Sequence, residues 1–338
     1  MIIKIDNRKI KFFSDVVINY KFTSFASIFS FKARFDSNNE EHRKIFKPLS
    51  FKKVEIFNDQ GDLKMNGIIL THSFSSDLEN NLVSISGYSK SGILESCSIP
   101  YESYPLEKNN VSLRDLTGQL FGIFGIDFIV DPPAAKDMDL VYEKVTAEPG
   151  ETIKSHISKL ASQRNIIIKN NENGSIVFTK PEFSITPKFS FNKSNVISMS
   201  TTVNGQDMHS SIDVIRQLNE DDVDVDPFES VSNPMIGLKK VLVKVLSDGA
   251  DDNMKGAAKN ILASELRDIM FEIKIDKELD VDCGDTVSII NDEIFIYKKV
   301  NLIVDEVILN ISGSENQTII KAKMPEAYTG ETPKNIFE

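Results

Sequence analysis

Ser112 to Val130, SLRDLTGQLFGIFGIDFIV, is where the chain changes its period. Leu113, Leu116, Leu120, Phe121 and Phe124 recur three and four residues apart, the spacing of one apolar helix face. Ser112 is suited to cap that helix, with Asp115 three residues on, and Gly125 is suited to end it. Ile126-Asp127-Phe128-Ile129-Val130 then reads as a strand closed by Pro132-Pro133. A second helix is predicted after Pro149-Gly150, with Ile153, Ile157, Leu160 and Ala161 as its apolar stripe. Ile166-Ile167-Ile168 and Ser175-Ile176-Val177-Phe178 flank Asn173-Gly174, a dipeptide that favours a tight hairpin turn. The stretch from roughly 105 to 182 therefore reads as a small α/β element.

On the N-terminal side the pattern is that of strands. Ile2-Ile3-Lys4-Ile5 opens the chain, and Val54-Glu55-Ile56-Phe57 leads into a turn at Asn58 to Asp62. Leu63 to Ser73 is extended, Asp77 to Asn81 turns again, and Leu82 to Tyr88 resumes the alternation. Short strands separated by such turns argue for an antiparallel sheet or barrel. Asn38 to Lys47 is a charged run, expected to be a solvated loop. On the C-terminal side Val196 to Val203, Ile212 to Gln217 and Leu238 to Leu246 are predicted strands. A helix follows through Ala257, Ile261, Leu262, Leu266 and Ile269, and Phe271 to Met324 is strand-rich, with turns at 282–284, 291–292 and 312–316. The order is β, then α/β, then β: an α+β chain that is mainly β, of several domains at 338 residues.

Composition excludes more than it selects. No stretch approaches the roughly 18 uninterrupted apolar residues of a membrane-spanning helix, and no membrane insertion is expected. The first residues alternate apolar and charged, unlike a secretion signal. With 39 Lys and Arg against 50 Asp and Glu the net charge is −11, poorly suited to wrapping nucleic acid, which needs clustered cations. Acidity does suit a surface that nucleic acid slides past. Cys97 and Cys283 match no metal spacing and imply no disulfide framework, consistent with folding in a reducing cytoplasm.

Chemistry-bearing patterns are missing. His42, His72, His156 and His209 sit in no metal-ligand or triad frame; His156 is assigned to the polar part of its helix and His209 to a Ser-rich stretch. Glu220-Asp221-Asp222-Val223-Asp224-Val225-Asp226 alternates carboxylates as a calcium loop does. It then has Pro227 where the turn glycine belongs and Asn233 where the bidentate Glu belongs. Asn219 to Asn233 is expected to be an exposed loop. Gly118, Gly122 and Gly125 belong to the first helix and its end, not to a phosphate loop. Trp is absent and the 22 Phe alternate mostly within strands, which weakens a sugar-binding reading. No catalytic, cofactor-binding or metal residue is assigned.

Four segments carry a resemblance. Ser84 to Ser98, SISGYSKSGILESCS, has the form strand-Gly-x-Ser-basic-Ser-x-x-Leu-x-acidic, with Ile93 where Asp is usual. Ser112 to Val130 is an amphipathic helix ending in Phe-Gly-Ile before an extended run. Pro149-Gly150-Glu151-Thr152-Ile153 starts a helix that leads to the Asn173-Gly174 hairpin. Cys283-Gly284-Asp285-Thr286-Val287 is followed by Leu302 to Val307 and the closing Thr318 to Pro325, with Cys283 where Pro is common. In this order and spacing they resemble the Mu-like phage baseplate hub family. That family is related to late control gene D proteins and to the hub part of type VI secretion spike proteins.

The resemblance implies two similar β-barrel-like domains with an α/β module between them. The expected division is 1–104, β-barrel-like; 105–185, small α/β; 186–330, second β-barrel-like with an inserted helix at about 252–270; and 331–338, a frayed tail. It implies a non-enzymatic structural hub of a contractile tail, a homotrimer whose ring joins the hexameric tail tube to a trimeric central spike. Other baseplate proteins are expected partners, DNA passes through the lumen without specific binding, and no cofactor is expected. The expected location is the virion tail baseplate, after assembly in the host bacterial cytoplasm. With no repeat-rich extension in this sequence, the needle is expected to be a separate protein. A hub-like tail protein of a non-contractile phage or phage-like particle is the alternative, and a secreted glycan-binding or glycan-active β protein a further one.

Overall fold

A computed structural model describes residues 1–76, 81–216, 228–246, 254–313 and 315–338. It divides into two compact units. The first comprises Met1–Lys180, Asp276–Leu279 and Glu306–Ile319; the second comprises Pro181–Ile275, Asp280–Asp305 and Ile320–Glu338.

The first unit opens with β1 (Ile2–Ile5) and β2 (Arg8–Ile10). Asp6 and Asn7 join them at φ of 46° and 65°, the left-handed pair that a two-residue hairpin needs. β3 (Phe13–Lys21), β4 (Ile28–Arg34), α1 (Glu40–Ile45), β5 (Lys53–Phe57), β6 (Leu63–Ser76) and β7 (Asn81–Ser89) follow. In space the order is residues 306–311, β3, β4, β7, β6, β5, β1, β2, antiparallel throughout. Alternate residues of these strands form the core, among them Ile3, Ile5, Ile18, Phe31, Ile56, Met65, Ile69 and Ile85. Burying one such side chain contributes about 1.5–3 kcal/mol. Gly67 and Gly87 leave space for the Phe29 ring: a Cβ at either would lie 2.7 or 2.8 Å from it.

The expected solvated loop at Asn38 to Lys47 is instead helical over α1. Asn39 caps it by accepting the amides of Glu41 and His42, and the charges are ordered along it, Glu40 and Glu41 first, His42, Arg43 and Lys44 last. That order complements the helix dipole, and Ile45 and Phe46 are buried.

The α/β element comprises α2 (Ile93–Ser96), β8 (Glu107–Ser112), α3 (Leu113–Ile123), β9 (Phe128–Val130), α4 (Pro132–Asp139), β10 (Val141–Thr146), α5 (Ile153–Gln163), β11 (Ile167–Asn170) and β12 (Ile176–Thr179). Ser112 and Thr152 cap α3 and α5, and Gly125 takes φ +62° just past the end of α3. β12 pairs antiparallel with β11 across the Asn173-Gly174 turn and parallel with β9, while β8 pairs antiparallel with β10. Pro132-Pro133 does more than close a strand. It occupies the first helical positions of α4, where the missing amide hydrogens cost nothing. Ala134 and Met138 of that helix are fully buried.

In the second unit β13 (Phe189–Phe191) pairs parallel with β19 (Thr286–Asn291), and β14 (Ser198–Val203) pairs antiparallel with β18 (Ile269–Ile275). β19 pairs with the first part of β20 (Ile296–Ser312), whose residues 306–311 are the strand of the first unit. β21 (Glu315–Lys323) runs between β20 and β18 in strand order. A separate sheet has the order β16 (Phe228–Ser232), β15 (Ser211–Arg216), β17 (Val241–Leu246). It packs on α6 (Met254–Leu266), and α7 (Glu326–Thr329) packs on α6 in turn. β16 corrects the expected loop at 219–233: Phe228 to Ser232 alternates and pairs in full register with β15. The acidic run 220–226, residues 77–80 of the turn at 77–81 and residue 314 of the turn at 312–316 lie outside the described residues.

Candidate interaction surfaces

The motif residues of the first three segments converge on the seam between the first unit's sheet and its α/β element. Lys90 donates to the Gly125 carbonyl at 2.5 Å, and Gly174, at φ +78°, lies so close to Lys90 that a Cβ there would meet it at 2.7 Å. Asn66 of β6 closes the same point by donating its amides to the Glu172 and Asn173 carbonyls. Ile99 N–H donates to Glu151 and Ile153 N–H to Cys97, tying α2 to the start of α5, with Lys154 paired to Glu95 at 2.8 Å. From the other side Ser91 donates to the Phe25 carbonyl, and Phe25 enters the α/β core 1% exposed, edge-on to Phe121 at 6.1 Å. These residues hold one element on another.

Cys283-Gly284-Asp285 of the fourth segment is a turn in the second unit. Gly284 takes φ +96° and donates its amide to Val304, while the Asp285 carboxylate accepts the Asp282 amide and the Lys188 ammonium.

The histidines assemble no reactive centre among the described residues. His156, expected on the polar part of its helix, is instead 4% exposed within the apolar face of α5. The helical stripe is one position wider than its aliphatic residues show. Burial lowers its pKa, and Glu151, with Oε2 3.3 Å from Nδ1, opposes that shift. His209 donates its backbone amide to Glu265 of α6 at 2.9 Å and pairs through Nδ1 at 2.7 Å, so this buried carboxylate is satisfied. Tyr328 of α7 donates to Asp305 at 2.6 Å, which also pairs with Lys323 at 2.8 Å; burial pushes the phenol far above its usual range. Cys97 and Cys283 form no disulfide, and no group of three or more His, Cys, Asp or Glu among the described residues is placed to hold a metal.

What remains open to solvent is suited to contact. A groove of about 420 Å³ on the first unit's sheet is lined by Val17, Ile28, Leu70, Tyr88 and Ile308, together with the small Ser30 and Ser86. The side-chain Oδ1 of Asn19, which also lines it, is buried without a donor. In the second unit the face of the small sheet away from α6 exposes Phe228, Val241, Val243 and Val245, 42–58% each. A third site, missed in the sequence, is a cavity of about 540 Å³ at the β2–β3 turn and α1, whose charged lining is Arg8, Lys9, Lys11 and Arg34 against Asp36 and Glu41. The Arg8-Lys9-x-Lys11 cluster was its visible signal, hidden under the negative total.

The chain has a mainly β architecture with an α/β element fixed to its first sheet, and this fold is similar to that of solved tail proteins. The 43-kDa tail protein of prophage MuSo2 from Shewanella oneidensis matches with TM-score 0.81 at 16% identity, over 96% of this chain and 98% of that one. A tail protein from Neisseria meningitidis matches with TM-score 0.78 at 19% identity, over 98% of both chains. A type VI secretion system component of E. coli, itself described as structurally similar to the bacteriophage tail proteins gp27 and gp5, matches with TM-score 0.59 at 9% identity, over 99% and 80%. Residues 91–180 match the family model "Baseplate hub protein gp44-like, second domain". No curated protein matches the sequence. The resemblance read from the sequence segments is thus shown in the α/β element by family and along the chain by fold.

Proposed function

We propose that the chain is the structural hub of a contractile phage-tail baseplate. Three copies form a ring around the DNA path, joining the hexameric tail tube on one side to a trimeric central spike on the other. One observation carries this reading: near-complete two-way coverage by phage tail proteins, in a chain whose α/β element matches a baseplate hub domain. Two β domains within one subunit let a threefold ring present six similar surfaces to a sixfold tube. The divisions 1–104, 105–185 and 186–330 are proposed as the units of that arrangement. The role is architectural rather than enzymatic. Other baseplate proteins are its partners, and its place is the virion tail after assembly in the host cytoplasm.

Negative-stain electron microscopy and mass photometry of the purified chain test it. A threefold ring with a central hole is the expected result. Compact monomers that stay monomeric when mixed with the spike and tube proteins would overturn it.

A further inference from the structure

Charge is distributed very unevenly along this acidic chain. Residues 1–53 hold 12 Lys and Arg against five Asp and Glu, while the remaining 285 hold 27 against 45. The excess cations meet at the cavity of about 540 Å³ beside α1. Lys9, Lys11 and Arg34 line it and are exposed, and among the described residues none of them meets a carboxylate. Arg8 has only an exposed contact to Glu41 at 3.3 Å. Asp36 and Glu41 line the same cavity, so its four cations outnumber its carboxylates by two, and Asn39 and His42 add further polar walls. Ile10, Ile45 and Phe46 are buried beneath, and Phe12 is 67% exposed.

We propose that this cavity docks an acidic segment of a second copy of the same chain. Cations crowded in one concavity repel one another, and carboxylates from outside relieve that repulsion while aligning the approach. A free inorganic anion would satisfy the cations yet leave Phe12 in water. A protein segment carrying carboxylates beside apolar residues covers both. Residues 54–338 supply the opposite sign in abundance, so each copy carries both halves of a head-to-tail contact. A contact between two different patches closes into a ring when the rotation between copies allows it. This step rests on the ring proposed above and names the surface that would close it.

The test uses the full chain. Equal amounts of ¹⁴N- and ¹⁵N-labelled protein are joined with a zero-length carbodiimide, and mass spectrometry separates links between copies from links within one. The expected result is Lys9 or Lys11 linked across copies to an Asp or Glu beyond residue 53. The variant K9E/K11E/R34E should lose those links and associate about tenfold or more weakly in sedimentation, with K9A/K11A/R34A intermediate. These side chains are exposed, so circular dichroism should match the parent. If copies associate but the cavity lysines link only within a copy, or charge reversal leaves association unchanged, the docking proposal falls and the ring stands. A chain that is monomeric at every concentration, alone and with its proposed partners, removes the ring and this contact together.

Discussion

Phe25 lies in the connection between β3 and β4, yet its ring is part of the α/β core, 1% exposed and edge-on to Phe121. The substitution Phe25→Ala removes most of a buried aromatic from a core that also holds Leu94, Leu116, Leu120, Phe121 and Ile153, all of which are also buried. α3 and α5 are capped and held by their own hydrogen bonds, so this core cannot collapse freely into the void. The cost should therefore fall in the range of about 3–5 kcal/mol for such truncations, whereas Phe25→Leu should cost about a third of that. Hydrogen exchange is the suitable assay, because it reads residues 113–123 and 153–163 separately from the second unit. Amides there that open only with the whole core should exchange about two to nearly four decades faster, at roughly tenfold per 1.4 kcal/mol. An acceleration under tenfold would refute the claim that Phe25 joins sheet and α/β element into one core.

Three further outcomes follow from the geometry. Gly174→Ala places a Cβ 2.7 Å from that of Lys90 at a backbone of φ +78°, so it should destabilise the first unit by about 2–4 kcal/mol in chemical denaturation, with Asn173→Ala milder. His156 is held neutral by burial, so the unfolded chain takes up its proton first as the pH falls; stability should be complete above the ordinary value of 6.5 and decline below it. His156→Gln should flatten that decline in urea titrations between pH 7 and 5. Tyr328→Phe removes the phenol donor from the half-buried Asp305 and leaves it its Lys323 ion pair, and should lower the second unit's stability by about 1–3 kcal/mol, read as a shifted thermal transition.

Helices α3 and α5 were legible because each shows a four-residue apolar recurrence, bounded in α3 by the Ser112 cap and the Gly125 stop and opened in α5 by Pro149-Gly150. The Asn173-Gly174 hairpin was legible from one dipeptide. α1 was not, because six residues show only one buried apolar side chain, and the signal lay in the order of charges rather than in periodicity. α4 was hidden by reading Pro132-Pro133 as an end, although proline at a first helical turn is equally a beginning. The pairing of residues 306–311 with β3 joins positions almost a whole chain apart, which no local pattern encodes. The cationic cavity needs Arg34 brought beside Arg8 to Lys11 by the sheet, so only the three cations of that tetrapeptide stood together in the sequence.

Folding and assembly should part company in salt. The seam inside the first unit is fixed mainly by backbone carbonyls, small hydroxyls and the Phe25 ring: Lys90 on Gly125, Ser91 on Phe25, Asn66 on Asn173. Such contacts are short-range and change little with ionic strength. The contact proposed between copies depends on exposed Lys9, Lys11 and Arg34, whose reach shrinks as the screening length falls from about 10 Å at 0.1 M salt to about 3 Å at 1 M. Raising salt from 0.1 to 1 M should therefore dissociate the assembly while leaving the unfolding midpoint of the first unit unmoved. Measured side by side, sedimentation should shift to the monomer and circular dichroism should stay constant. An assembly that persists at 1 M salt would mean that the apolar faces at Val17–Ile308 or Val241–Val245 carry the contact instead.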